Sequence, residues 1–334
     1  MLVRKPLHIL MLLSPFAVGF LALFAGAYGV TPSEVLGALF GHVPLFVAPS
    51  GGVERGIVLD IRLPRVVLAG LVGLILSGSG VTLQGLFRNP LVDPFILGVS
   101  AGAALGCALS IGFFPHAPIQ MMAFVFGILA VILAYSIART QGEVSRLPLV
   151  LSGVIISAFF TALVSIVKFL VDPHQLQSIV YWLMGSFSLA TWPQVSIALL
   201  GVAGLLPVYF MRWRINVLSM GEEEAESLGI NVKRDRMVLL VSASLSASLA
   251  VSVSGIIGWV GLIVPHLVRM ASGPDHKSLV PLSMAVGATF MILADTAARG
   301  LTSLDIPVGI VTAILGAPFF IYLMKRGGKE SWGS

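Results

Sequence analysis

Charged side chains are scarce in this sequence. Its 334 residues include 20 lysines and arginines and 15 aspartates and glutamates, which together make up 10% of the chain. In soluble domains about a quarter of the residues are charged. Hydrophobic residues account for 57% of the sequence, and the mean hydropathy is +0.99. Because a soluble fold of this size cannot bury so much apolar surface, the composition indicates a membrane protein.

Motifs that would indicate catalysis or metal binding are also lacking. Cys107 is the single cysteine, so it cannot form an internal disulfide. The six histidines show no ligand spacing, and no nucleophile elbow is present. The Gly328-Lys329 pair lacks the upstream glycine of a phosphate-binding loop. We therefore expect no catalytic residue, no metal site and no cofactor in this chain. Membrane topology explains the net charge of +5 without a nucleic-acid partner.

Ten apolar runs divide the sequence and predict membrane-spanning helices. A helix crosses the bilayer core with roughly 20 apolar residues, and the runs lack the strict alternation of a β-barrel. No long linker separates them, so residues 1–334 are interpreted as one all-α, polytopic transmembrane domain. The division near Gly255 is open, since 237–270 could also form one long helix. The predicted spans are 7–29, 64–86, 95–112, 118–138, 148–171, 194–211, 237–254, 256–270, 279–298 and 306–324.

The basic residues predict the orientation of these spans. With a cytoplasmic N-terminus, ten spans put both termini inside, and most of the 20 basic residues then lie inside, as the positive-inside rule requires. Residues 1–29 also resemble a signal peptide, with a possible cleavage site at Ala25-Gly26-Ala27. We favour a retained first helix, because the apolar run is long for a signal peptide and the rest of the chain is polytopic.

Residues 212–236 form a hydrophilic segment on the predicted cytoplasmic side. Ser219 and Glu222 have the spacing of a capping box, and further acids follow where the helix dipole favours them. Leu228 adds an apolar position, and Gly229 stands where a helix C-cap is expected. The pattern predicts a short amphipathic helix that contacts a soluble partner. The alternative is a solvated loop with one helical turn.

Few charges lie within the predicted spans. Asp295 precedes Arg299 by one helical turn, so an i,i+4 ion pair would neutralise both side chains. The alternative is a proton or sodium relay, which would make the chain an ion-coupled secondary transporter. We favour the structural pair, because such a transporter is expected to contain more buried ionisable groups.

Four segments of the sequence resemble a known family. They read RLPRVVLAGLVG at 62–73, SGVTLQGLFRNPLVDPFILGVSAGA at 79–103, GWVGLIVPHLVR at 258–269 and DIPVGIVTAILGAPFF at 305–320. In order and spacing they are similar to permease subunits of type II ABC importers for iron chelates, haem and cobalamin, the FecCD/BtuC-type family. The ten predicted spans and the cytoplasmic segment agree with this resemblance.

The resemblance implies a homodimer with one translocation path, in the cytoplasmic (inner) membrane of a bacterium or archaeon. It also implies a cytoplasmic ATPase dimer that binds ATP and magnesium, and a soluble substrate-binding protein that delivers the cargo. The expected cargo is a metal chelate, an iron-siderophore first, with haem or cobalamin as alternatives. A non-transporting membrane scaffold, like an ion-coupled transporter, would leave the four segments unexplained.

The resemblance assigns roles to particular residues as well. Outer arginines of the family receive acidic residues of the binding protein, and Asp305 stands where the family often has glutamate. Here Arg62 and Arg65 could merely flank a helix start, and Arg299 could merely neutralise Asp295. The expected docking residues are Arg62, Arg65 and Arg299.

Two sets of residues, both expected on the cytoplasmic side, complete these predictions. The first is the gate, where helices would face their twins across the dimer axis: Asn89, Pro90, Leu91, Val144 and Ser145. The second lies in residues 219–236, the expected coupling segment, and would contact the ATPase: Glu222, Glu223, Ala225, Glu226, Leu228, Gly229 and Ile230.

Overall fold

The computed structural model describes residues 4–26, 28–40, 52–140, 143–300 and 305–327, and this part of the chain is almost entirely helical. Ala27 and the Gly328-Lys329 pair lie outside these ranges. The α-helices are α1 (Arg4–Ala22), α2 (Pro32–Phe40), α3 (Gly52–Gly56), α4 (Leu63–Phe87), α5 (Val99–Phe113), α6 (Ile119–Ala138), α7 (Arg146–Leu170), α8 (Pro173–Leu183), α9 (Trp192–Gly204), α10 (Leu206–Met220), α11 (Glu222–Ser227), α12 (Val232–Ser254), α13 (Val260–Ser272), α14 (His276–Gly300) and α15 (Val308–Gly327).

Two helical turns and a pair of short strands connect these helices. A π-helical turn, Ile57–Arg62, leads into α4, and a 3-10 turn, Pro94–Leu97, leads into α5. Strands β1 (Arg139–Thr140) and β2 (Glu143–Val144) pair antiparallel immediately before α7, with Arg139 opposite Val144.

Seven helical stretches in the described residues are long and apolar enough to cross a membrane. Three shorter apolar helices, Val99–Phe113, Val260–Ser272 and Val308–Ile321, occupy the remaining predicted spans. The prediction of an all-α polytopic fold with about ten spans is therefore confirmed. The seven long stretches are Lys5–Ala22, Gly52–Phe87, Ile119–Ala138, Arg146–Leu170, Trp192–Met220, Val232–Ser254 and His276–Gly300.

The chain breaks between α12 and α13 at Gly255, so the alternative of one long helix over 237–270 is wrong. Gly255 has φ of +70°, a conformation that side chains disfavour. A Cβ at this position would also overlap the carbonyl oxygen of Trp182. Glycine thus allows a sharp break in an otherwise continuous apolar run.

Helix α4 lies at the centre of the fold, where it packs against α9, α10, α12, α13 and α14. Small residues let its backbone come close to its neighbours, as is common between membrane helices. A Cβ at Gly80 would overlap the Gly261 carbonyl of α13, and one at Gly73 would overlap the Gly287 carbonyl of α14. Hydroxyl groups add to this packing: Ser79 donates to the Ala243 carbonyl of α12 at 2.9 Å.

Candidate functional site

A buried charge cluster joins the ends of α4 and α14 to the segment before α15. Arg65 of α4 donates to both carboxylate oxygens of Asp295, with Nε at 3.0 and 3.1 Å and Nη2 at 2.8 Å. Its Nη1 and Nη2 also donate to Asp305, at 2.7 and 2.8 Å. Arg299 Nε lies 3.2 Å from Asp295 Oδ2, as an ion pair without hydrogen-bond geometry. The predicted Asp295–Arg299 pair is therefore present, within a larger cluster.

The other two predicted docking arginines, Arg62 and Arg299, hold the chain that follows α1. Arg62 donates to the carbonyl oxygens of Leu23 and Tyr28, at 2.8 and 2.5 Å. Arg299 donates to the Ala25 carbonyl at 3.1 Å. Carbonyls at a helix end have no partner within the helix. These guanidinium groups supply the missing hydrogen-bond donors to the carbonyl oxygens that follow α1.

The three predicted docking arginines thus lie around one region, at the ends of α1, α4 and α14. Arg62 and Arg65 are buried, with 4% and 8% of their surfaces exposed, and both bond to groups of the chain itself. Arg299 is half-buried. Their docking to a binding protein stays a prediction, while their contacts within the chain are direct.

Asp305 connects this cluster to a polar loop. The hydrogen bonds from Arg65 hold the pKa of the Asp305 carboxyl below its usual range, and the nearby Ser188 hydroxyl lowers it further. The Ser188 hydroxyl lies 2.6 Å from that of Ser186 and 3.1 Å from that of Tyr181. The loop between α8 and α9 therefore lies beside Asp305 and the charge cluster.

A cavity of about 540 Å³ lies beside this loop, and no sequence motif predicted it. None of its lining side chains is ionisable at neutral pH, and several are neutral hydrogen-bonding groups. The lining comprises Ile111, Ile119, Gln120, Gln177, Ser178, Tyr181, Trp182, Ser186, Leu189, Ala190, Gln194, Ser252, Val253 and Ser254.

The segment at residues 212–236 contains a short helix, α11, but its predicted start is wrong. Ser219 lies inside α10, which continues to Met220, and its hydroxyl donates to the Asn216 carbonyl at 2.6 Å. The helix α11 begins after Gly221 without a side-chain cap. The burial of Leu218 explains the difference, because packing carries α10 past the predicted cap.

The end of α11 agrees with the sequence. Gly229 has φ of +76°. Its N–H donates to the Glu226 carbonyl at 2.9 Å, and the Ile230 N–H donates to the Ala225 carbonyl at 3.1 Å. This pair of bonds is a Schellman motif, which favours glycine in the left-handed position. Ala225 and Ile230 are buried in the chain, so Leu228, 63% exposed, is the apolar side chain that this end presents.

Replacing Gly229 with alanine should loosen the end of α11. A non-glycine residue in the left-handed region costs roughly 1–2 kcal/mol. We expect faster hydrogen–deuterium exchange over residues 222–230 in Gly229→Ala than in Gly29→Ala, because Gly29 is not in the left-handed region and a Cβ there meets nothing. Equal exchange in the two variants would contradict the assigned turn.

Glu222, the first residue of α11, binds two arginines of the same chain. Its Oε1 lies 2.5 Å from Arg236 Nη2 of α12 and 3.7 Å from Arg146 Nη2 of α7. The hydrogen bond from Arg236 is the largest cause of a lowered pKa of Glu222, and the charges of Arg236, Arg146 and Arg88 lower it further. The Glu222 side chain is itself 57% exposed, and Glu223, Glu224 and Glu226 are exposed as well.

The predicted gate residues lie at the ends of α4 and α7. Asn89 and Pro90 are exposed in the turn after α4, where the Leu91 N–H donates to Asn89 Oδ1 at 2.9 Å. Ser145 is exposed and precedes α7. The backbone of Val144 belongs to β2, whereas its side chain lies outside the described part. Contacts across a dimer axis stay a prediction.

A second cavity, of about 330 Å³, brings the flanks of both gate regions together with α11. Its walls include the end of α4, the start of α7, and one side each of α11 and α12. The lining residues are Leu86, Phe87, Tyr135, Ser145, Arg146, Leu149, Glu222, Glu226, Val232, Lys233, Arg236, Met237 and Leu240. The sequence did not predict this arrangement, because these residues lie far apart along the chain.

Comparison with known proteins identifies the family. The profile of the FecCD transport family matches residues 12–326. The chain belongs to this family. A Helicobacter pylori protein named "Probable iron chelatin transport system permease protein" is 49% identical over 271 residues, which cover 81% of this chain and 82% of that protein.

Two further matches agree with the membership. The molybdate import system permease protein of Haemophilus influenzae is 44% identical and covers 83% of this chain and 84% of its own length. A solved structure described as an inward-facing metal-chelate type ABC transporter has a TM-score of 0.84 and 36% identity, and covers 96% of this chain and 99% of its own chain.

These matches confirm the resemblance seen in the sequence. The chain is the permease of an ABC importer, a transport subunit and not a catalytic enzyme. It is a multi-pass protein of the bacterial or archaeal inner membrane. Membership of an ABC importer family implies ATPase and substrate-binding partners. It argues against the two alternatives of an ion-coupled secondary transporter and a scaffold.

Proposed function

We propose that this chain forms a homodimer through which an iron-siderophore enters the cell. The 49% identity to an iron chelatin permease is the observation that carries this choice of cargo. Haem and cobalamin are the alternatives, and the similarity to a molybdate permease adds a fourth candidate. The chain binds no cofactor of its own in this proposal, since ATP and magnesium are bound by a separate ATPase dimer.

The exposed side of α11 supports a contact with that ATPase. Glu223 and Glu226 present negative charge, and Leu228 presents apolar surface beside them. Opposite charges speed and orient association, while a buried apolar side chain adds affinity. With both termini in the cytoplasm, α11 lies on the same side as the ATPase.

On the outer side, the charge cluster is proposed to receive the substrate-binding protein. Arg62, Arg65 and Arg299 are held rigidly, and the Asp305 side chain is partly open to solvent. An acidic residue of the binding protein would compete with Asp305 for Arg65. Such an exchange conserves ion pairs while it moves the segment before α15.

Transport then follows from alternating access. Binding and hydrolysis of ATP move the two ATPase subunits, and α11 transmits the motion to the permease. The turn at Asn89, Pro90 and Leu91 and the segment at Val144 and Ser145 open or close the cytoplasmic end of the path. The ATPase must bind ATP differently in the two states, because a ligand shifts an equilibrium only by its differential affinity.

Uptake into proteoliposomes tests this function. The permease is reconstituted with its matched ATPase and binding protein, and labelled ferric siderophore, haem, cobalamin and molybdate are compared. We expect ATP-dependent uptake of the ferric siderophore. Preferential uptake of another substrate would overturn the choice of cargo, and absence of ATP-dependent uptake for all four would overturn the function.

Ionophores separate this mechanism from ion coupling. Because Asp295 is occupied by Arg65 and Arg299, we expect ATP-driven uptake to be unchanged when protonophore or sodium ionophore collapses the gradients. The measurement is the initial uptake rate at fixed ATP. A loss of uptake under either ionophore would favour the relay interpretation of Asp295.

A further inference from the structure

We infer that Glu222 is a positioning residue that joins α11 to the start of α7, and so links the motion of α11 to the cytoplasmic gate. The inference rests on the proposed function and deepens it. It assigns Glu222 a role within the chain, through its ion pairs to Arg236 and Arg146, whereas Glu223 and Glu226 are proposed to face the ATPase.

The first observation is the pair of contacts made by one carboxylate. Helix α11 packs on α10 and α12. Glu222 adds an ion pair to Arg236 of α12 and extends the contact to Arg146 of α7. Arg146 follows Ser145 directly in the chain. A displacement of α11 is therefore transmitted to the residue next to one gate region.

The second observation is a matching contact at the other gate region. Arg88 ends α4 in the left-handed conformation, with φ of 50°, and immediately precedes Asn89. Its Nε and Nη2 donate to the Leu218 carbonyl of α10, at 3.2 and 2.9 Å. The helix that leads into α11 is thus bonded to the start of the Asn89 turn.

The third observation is the local charge balance. Arg146 and Arg236 both lie within ion-pair distance of the Glu222 carboxylate. Like charges repel, and the repulsion is stronger where water is partly excluded. Without the carboxylate, Arg146 and Arg236 would repel each other, and the start of α7 would separate from α12.

We call the contact of Glu222 with Arg146 and Arg236 the joint. The cavity of about 330 Å³ beside the joint leaves room for movement. Phe87, two residues before Asn89, and Ser145, a residue of the other gate region, line it together with Glu222. Tightly packed interiors resist small displacements, whereas a helix placed over an open cavity can tilt without forcing side chains to overlap. The joint can therefore move as α11 moves, while the Glu222 carboxylate keeps α11 in contact with α7 and α12.

The test compares Glu222→Gln with the matched control Glu224→Gln, which alters an exposed acid of the same helix outside the proposed contacts. In proteoliposomes with the matched ATPase and binding protein, we expect Glu222→Gln to retain assembly and ATP hydrolysis. Uptake per ATP hydrolysed should fall about tenfold, which corresponds to about 1.4 kcal/mol. Glu224→Gln should show the same uptake per ATP hydrolysed as the unaltered protein.

A double-mutant cycle assigns the effect to the ion pair. If Glu222 acts through Arg146, the variant Glu222→Gln/Arg146→Gln should lose no more coupling than either single variant. Additive losses would overturn the proposal, as would an unchanged ratio of uptake to hydrolysis in Glu222→Gln. Loss of assembly in Glu222→Gln would overturn it too, because the residue would then act at the ATPase surface.

A distance measurement separates this proposal from the proposed function. Spin labels at Ser227→Cys and Leu147→Cys, both exposed, report the separation of α11 and α7 in the isolated permease. We expect Glu222→Gln to broaden and lengthen the distance distribution. An unchanged distribution would overturn the joint. A broadened distribution in a protein that shows no ATP-driven uptake would instead overturn the transport function and leave the joint intact.

Discussion

Replacing Arg65 with alanine should destabilise the permease more than any other single loss of charge in the described chain. The variant leaves Asp295, which is 1% exposed, without the guanidinium that binds both its oxygens. Removing one partner of a buried ion pair costs about 3–5 kcal/mol, because the other charge stays buried and unpaired. Arg299 compensates in part, through a single ion pair at 3.2 Å.

The thermal stability of the purified protein in detergent measures this loss. The matched control is Arg55→Ala, which removes an exposed arginine of α3. Adding Asp295→Leu to Arg65→Ala should recover part of the stability, because no unpaired carboxylate then remains at that position. Equal melting temperatures for Arg65→Ala and Arg55→Ala would contradict the structural importance of the cluster.

Replacing Gly80 with valine should prevent α4 from packing on α13. A Cβ at this position would overlap the backbone of Gly261, and a backbone cannot rotate away as a side chain can. Overpacking costs about 1–3 kcal/mol where neighbours can adjust, and we expect the upper end of this range here. Because Gly261 also contacts Pro94, the shift would extend to the segment that leads into α5.

The yield of folded protein after size-exclusion chromatography tests this prediction. Gly258→Val is the control, since a Cβ at Gly258 meets nothing within 4 Å. We expect little folded material from Gly80→Val and a near-normal yield from Gly258→Val. Similar yields from the two variants would mean that α4 and α13 are not so closely packed.

The apolar runs predicted the spans well because the signal is local. A helix that crosses the bilayer needs a long apolar run wherever it lies in the fold. The positions of the helix ends were less predictable. Ser219 and Glu222 had the spacing of a capping box, but the buried side chain of Leu218 keeps this stretch within α10.

The contacts that build the two charged sites could not be predicted from local patterns. Arg65 and Asp295 are 230 residues apart, and only the helix packing brings them together. The i,i+4 pair of Asp295 and Arg299 was predictable, since both lie on one helix. Glu222 and Arg146 lie on different elements, so the sequence indicated a partner for the acidic helix without revealing this internal one.

We propose that this permease receives its energy from a separate ATPase through the exposed side of α11. ATP-driven uptake by Leu228→Asp tests this contact, with Val53→Asp as the control, because the Leu228 and Val53 side chains are similarly exposed, by 63% and 66%. We expect at least about a tenfold loss of uptake in Leu228→Asp, equivalent to about 1.4 kcal/mol, with the permease itself still folded. Undiminished uptake in Leu228→Asp, or uptake by the permease without any ATPase, would contradict it.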